Sequence, residues 1–116
     1  MSKVNVSMNV RPVEKNACVI DIVGEVNSFA ENPLMDAYTE ASSAGAKVII
    51  LNFSGLDYMN SSGIGLLVTL LIRIKRQGQR LVASGLSEHY RQIFMLTRLN
   101  EAIKEYPDEQ SALADL

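Results

Sequence analysis

Val48-Ile49-Ile50-Leu51 is an unbroken apolar run, too short for a helix and rich in β-branched residues. Such a run reads as a central strand covered on both faces. The chain after it supplies helices to do the covering. Asn60 to Gln77 reads as a long helix that stops at Gly78, and Leu81-Val82-Ala83 as another short strand. Ser87 caps a third helix carrying Tyr90, Ile93, Phe94 and Thr97. Ala102 to Tyr106 reads as a short last strand. Pro107-Asp108-Glu109 then opens a terminal helix with Ala112, Leu113 and Leu116. Strands and helices that alternate in this way predict a mainly parallel sheet.

The beginning of the chain has a different rhythm. Val4, Val6, Met8 and Val10 alternate with Asn5, Ser7 and Asn9, which is the period of a half-buried strand. Arg11-Pro12 is expected to break it. Cys18, Ile20 and Ile22 alternate with Val19, Asp21 and Val23, and Gly24 is expected to end this second strand. The two strands predict a hairpin across Arg11 to Asn16. Asn32-Pro33 then fits a helix start, with Asn32 as cap, and Leu34, Ala37, Tyr38 and Ala41 follow at helical spacing up to Gly45. The predicted order is β-β-α-β-α-β-α-β-α: an α/β fold with a mixed, mostly parallel sheet, an N-terminal hairpin and about four helices.

At 116 residues the chain is long enough for one domain, spanning 1–116, with a real hydrophobic core. Its net charge of −2 gives no basic footprint for nucleic acid. The longest apolar-rich run without charge, Gly63 to Ile72, is too short to span a bilayer. No apolar block follows Lys3 to suggest a signal peptide, and the single Cys18 has no intrachain partner. These features predict a soluble, cytoplasmic protein.

The chemistry of the chain concentrates in Asn60-Ser61-Ser62-Gly63-Ile64-Gly65-Leu66-Leu67. A hydroxyl at a helix start lies beside free backbone N–H groups and the positive end of the helix dipole. A phosphate placed there is held electrostatically. From Ile64 to Ile74 the helix carries one charge, Arg73, and its apolar residues fill more than one stripe. A helix packed on a sheet needs only an arc of about 100°. Either the helix is buried on most sides or carries scattered exposed apolar residues, or part of its surplus binds a protein.

Taken with this order of elements, several segments resemble the STAS domains of the anti-sigma factor antagonist family. They are Gly24-Glu25-Val26-Asn27, Val48-Ile49-Ile50-Leu51-Asn52, and Leu56-Asp57-Tyr58-Met59-Asn60-Ser61-Ser62-Gly63-Ile64-Gly65. The likeness continues through Leu81-Val82 and Phe94-Leu96-Thr97 to Ile103. The resemblance implies an antagonist that captures an anti-sigma factor when unphosphorylated. It is switched off when that partner, which is also a serine kinase, phosphorylates it, and a phosphatase restores it. The phosphoacceptor falls on Ser61, with Ser62 beside it, and Gly63 and Gly65 leave room for an approaching partner. The implied docking surface takes in Asn27, Asn60, Ser61, Ser62, Gly63, Ile64 and Leu66, with the loop from Asn27 to Asn32. At two positions the chain departs from the family: Asn60 and Asn27 stand where Asp is usual.

Elsewhere the residues read plainly. His89 lies beside the Ser87 cap with no metal-ligand neighbours, and Cys18 reads as a small buried hydrophobe. No cofactor and no metal site are expected, since one His and one Cys give no ordinary zinc ligand set. Arg73, Lys75, Arg76 and Arg80 fit the negative end of a helix dipole. No nucleophile–base pair and no phosphate loop point to an enzyme. The remaining alternative is an unphosphorylated accessory STAS subunit of a lipid-transport or signalling complex.

Overall fold

The apolar run of Val48 to Leu51 is indeed the middle of a five-stranded sheet. The computed structural model describes residues 5–116. Its strands are β1 (Val6–Val13), β2 (Ala17–Val26), β3 (Val48–Met59), β4 (Arg80–Ser84) and β5 (Lys104–Tyr106), side by side in that order. The helices are α1 (Glu31–Ser43), α2 (Ser61–Arg76), α3 (Glu88–Leu96) and α4 (Glu109–Ala114). β1 pairs antiparallel with β2, and the rest of the sheet is parallel. This is the predicted mixed sheet with its initial hairpin. Val4, the expected first residue of that hairpin, lies outside the described residues.

Consecutive parallel strands are neighbours here, so right-handed crossovers carry α1, α2 and α3 to one face. Cys18, Ile20, Ile22, Ile49, Leu51, Phe53, Leu81 and Ala83 point that way. They form the main core with Leu34, Leu67, Leu70, Ile74 and Phe94. The Phe53 and Phe94 rings meet edge to face at 6.1 Å between centroids. Val19, Ile50 and Val82 point to the other face, where Ala112 of α4 covers them. The short α4 suffices because that face is only partly apolar.

Several boundaries differ from the sequence reading, each for a physical reason. Arg11-Pro12 does not break β1. The strand runs to Val13, because an edge strand tolerates a residue without a backbone N–H. The turn instead uses Lys15 and Asn16, both at positive φ. Gly24 does not end β2, which continues to Val26. Gly24 sits at φ 105° beside a register shift, and a Cβ there would lie 2.3 Å from the Asn5 carbonyl oxygen. β3 does not end near Leu51 but runs to Met59, paired with β2 as far as Val26. Asn32 is not the α1 cap. A short 3₁₀ turn, Ser28–Ala30, precedes α1, and Asn27 caps that turn. The last strand is shorter than expected, because Leu99–Glu101 forms a second 3₁₀ turn ahead of it.

Candidate functional site

Two long strands end together at the start of α2. β3 outruns β4, whose last pair is Asn52 with Ser84, and keeps only β2 beside it. The far side of β3 therefore needs another acceptor. Tyr90 of α3 supplies it: the buried Met59 N–H donates to the Tyr90 hydroxyl at 2.8 Å. The next residue, Asn60, donates its N–H to the Val26 carbonyl at 3.2 Å. The β3 end is thus pinned from both sides immediately before the helix.

Asn60 is the α2 cap. Its side-chain oxygen accepts the Gly63 N–H at 3.0 Å, and its carbonyl accepts the Ile64 N–H at 3.0 Å. Asn27, at the end of β2, does the same for the 3₁₀ turn by accepting the Phe29 N–H at 2.9 Å. Both asparagines keep the hydrogen bonds an aspartate would make and drop its charge. Ser61 and Ser62 are exposed in the first turn. Among the described residues, their N–H groups have no intrachain acceptor. An exposed hydroxyl therefore stands beside unused donors at the positive end of a 16-residue helix.

The glycines divide. Gly63 is buried, and a Cβ there would lie 2.3 Å from the Val26 carbonyl oxygen and 2.8 Å from Met59 Cγ. It lets the helix close onto β2, with little of its own surface exposed. Gly65 faces open space.

Most of the apolar surplus of α2 goes into the core. Gly63, Leu67, Leu70 and Ile74 are buried. Ile64 and Leu66 are partly buried and pack against the main core, so neither is the free surface residue expected from sequence. What remains outside is Val68 (40% exposed) and Ile72 (48%). Spacings of four, three and four residues put Ser61, Gly65, Val68 and Ile72 on one line along the helix. Phe29 (51% exposed), on the 3₁₀ turn that packs against α2, and Tyr58 (53%), near the end of β3, add apolar surface at the same end. Sequence reasoning took in Phe29 only as part of the loop from Asn27 to Asn32, and gave no separate role to Tyr58 or to the anchoring hydroxyl of Tyr90. Only knowing how far β3 extends past β4 would have drawn attention to them.

Charge is sparse at this end. Asp57 is exposed and Glu25 half-buried on the last turns of β3 and β2. The shifted titrating groups sit elsewhere. On the α4 face the Arg11 guanidinium holds the Asp21 carboxyl below its usual range, and on the opposite face burial pushes the Cys18 thiol up. His89 is exposed, with its ring edge-on to Tyr90. Arg73, Lys75 and Arg76 occupy the last turn of α2, at the opposite end of the helix from Ser61.

The fold and this site define a small α/β protein that presents an exposed serine at the start of α2 and a line of exposed apolar residues along that helix. The chain belongs to the STAS domain family, whose pattern matches residues 9–112. It is 28% identical over 99 residues to the anti-sigma-B factor antagonist of Bacillus subtilis (strain 168), covering 85% of this chain and 89% of that one. The unphosphorylated anti-sigma factor antagonist SpoIIAA has the same fold, with a TM-score of 0.72 at 21% identity over 94% of this chain and 96% of that one. A sulfate transporter family protein from Wolinella succinogenes shares it too, with a TM-score of 0.76 at 18% identity over 90% and 87%.

Proposed function

We propose that this protein is an anti-sigma factor antagonist, active in binding when Ser61 is free and switched off when Ser61 is phosphorylated. The observation that carries this reading is the Ser61 hydroxyl, exposed beside unused N–H donors and in line with the exposed Val68 and Ile72. The likeness to anti-sigma-B factor antagonists supports it. A partner seated on α2 covers both the stripe and the serine. Asn27, Asn60, Ser62 and Gly65 border the footprint, and the cytoplasm is where an anti-sigma factor would meet it. The serine kinase is that anti-sigma factor, and a phosphatase reverses the mark.

The physics of the switch is asymmetric. A phosphate brings about −1.5 to −2 charges. In the free protein the helix dipole and the N–H groups of Ser61 and Ser62 compensate part of that charge. In the complex the same phosphate is stripped of water against the partner. Binding therefore suffers more than folding does. Asn60 and Asn27 in place of Asp lower the negative charge that a kinase meets here, without loss of either cap.

The test compares Ser61→Ala and Ser61→Asp for binding the anti-sigma factor encoded by the same genome. Ser61→Ala binds like the parent and takes up no phosphate from that partner and ATP. Ser61→Asp binds at least about tenfold more weakly, a loss of about 1.4 kcal/mol, and melts near the parent. Mass spectrometry that places a stoichiometric phosphate elsewhere, with Ser61 untouched, removes the assignment. A partner that binds phosphorylated and unmodified protein equally removes the switch. A protein that is never phosphorylated belongs instead to the accessory-subunit class.

A further inference from the structure

We propose that the partner seated on α2 lays an acidic segment of its own surface against the last turn of that helix, where Arg73, Lys75 and Arg76 stand free. This rests on the α2 docking reading above and adds the chemistry of the partner's far end.

Arg11, Arg91, Arg98 and Lys104 are ion-paired, and Lys15 donates to the carbonyls of Leu113 and Leu116. Among the described residues, Arg73, Lys75 and Arg76 enter none of the ion pairs. Nor do they cap their own helix. The Arg73 and Ile74 carbonyls accept the Gln77 N–H, the Lys75 carbonyl accepts Gly78 N–H, and Gln79 N–H also goes to Ile74. The backbone thus closes the helix end without them. The helix dipole favours a cation here, but repulsion among neighbouring cations offsets part of that gain. The acids on the β5 side are already engaged: Asp115 with Lys104, and Glu101 with Arg98.

The basic turn continues the candidate interface. Ile72, half-exposed, ends the line of Ser61, Gly65 and Val68, and Lys75 and Arg76 follow it at three and four residues, on the same side of the helix. At about 1.5 Å of rise per residue, Ser61 and Arg76 lie about 22 Å apart along the axis. A standard protein interface of about 800 Å² per partner is roughly 28 Å across. A partner that covers Ser61 and Ile72 therefore reaches Lys75 and Arg76. At the Ser61 end, among the described residues, the charges outside the ion pairs are of the other sign: Glu25, Glu31 and Asp57. α2 thus lies along a charge gradient, and a partner of reversed polarity fits in one orientation only.

An acidic protein segment fits better than a bilayer or a duplex. Either extended polyanion would run along much of a molecule 38 Å long with net charge −2, and would meet the carboxylates as well. A short segment meets only the basic turn, because screening confines the interaction to about 8 Å at physiological salt.

The test has a rate arm and a peptide arm, both with the full chain. Association with the anti-sigma factor of the same genome is followed by stopped flow at about 50 mM and about 500 mM salt. Arg73→Glu/Arg76→Glu slows association at least about tenfold at low salt, and the gap closes at high salt. Arg73→Gln/Arg76→Gln, a milder change, falls between and guards against misfolding of the first variant. An unchanged rate in either folded variant overturns the proposal, while sensitivity to Ser61→Asp continues to report on the docking reading. If that anti-sigma factor does not bind at all, the docking reading fails, and the peptide arm decides. A labelled octaglutamate peptide shifts the amide resonances of Arg73 to Gln77 in the parent and not in the double Glu variant. No such shifts overturn the proposal. Phosphatidylglycerol vesicles that carry down the parent but not the double Glu variant assign the basic turn to a membrane and overturn it as well.

Discussion

At the scale of single residues, the helix start depends on space as much as on hydrogen bonds. Gly63 and Gly65 are two residues apart and look equivalent in the sequence. Their surroundings differ: a Cβ on Gly63 would overlap the Val26 carbonyl, whereas one on Gly65 would meet nothing within 4 Å. Gly63→Ala must therefore push α2 away from β2, at about 1–3 kcal/mol. Gly65→Ala gains about 0.5–1 kcal/mol, since alanine is the better helix former. Urea denaturation of the two variants checks both signs, and equal midpoints would mean that the helix start is not tightly seated. Tyr90 works from below. Tyr90→Phe leaves the buried Met59 N–H without its acceptor and costs about 1–3 kcal/mol. Hydrogen exchange should show the loss first at Met59 and Asn60, ahead of the sheet centre.

At the scale of elements, α2 shows what a sequence can and cannot disclose. Its period and its start at Asn60 were legible because both are local: a cap needs only an acceptor side chain three residues before a free N–H. The hairpin, the parallel strands and the Ser87-capped α3 were legible for the same reason. Strand ends were not. The apolar run of β3 gives way to polar residues at Asn52, but the strand goes on: Asp21 and Asn52 are paired neighbours in the sheet, joined by a 2.8 Å hydrogen bond from the Asn52 amide to Asp21. Nor could the pattern say which apolar residues of α2 face out, because that depends on how α1, α3 and the 3₁₀ turn crowd its flanks. Ile64 and Val68 look alike in the sequence, yet the first packs on the core and the second is exposed. A charge separates them experimentally. Val68→Asp leaves the melting temperature near that of the parent and weakens the anti-sigma complex by about 1–3 kcal/mol. Ile64→Asp lowers the melting temperature, because it puts a carboxylate against apolar side chains. If Val68→Asp binds as the parent does, the outer stripe of α2 is not the interface.

At the scale of the whole molecule, the two faces of the sheet are held by different forces, and acid tells them apart. The α1–α3 face is sealed by apolar packing. The α4 face carries a smaller apolar strip and an ionic clasp, in which Arg11 grips Asp21 at 2.6 Å and Glu109 at 2.6 Å. Asp21 has its pKa lowered, first by the hydrogen bond from Arg11. A carboxyl with a depressed folded-state pKa stabilises the fold above its unfolded pKa of about 3.9, and that contribution fades as pH falls through the folded value. Glu105 has the opposite sign. Burial raises its pKa, and Arg91, at 3.6 Å, only partly compensates. Its contribution is present below its unfolded pKa and is lost as pH rises through the folded one. Two substitutions resolve these terms. Asp21→Asn lowers the urea midpoint at pH 7 and by less near pH 2, because the parent loses the same charge as the pH falls through its depressed folded value. Glu105→Gln raises the midpoint at pH 7 and leaves it near the parent at pH 3, where Glu105 is already neutral. Both act on the sheet away from Ser61, so partner binding at pH 7 should not change in either variant. A midpoint for Asp21→Asn that falls equally at both pH values would show that Asp21 acts through shape and not through its charge. The clasp of α4 would then have to rest on Glu109 alone.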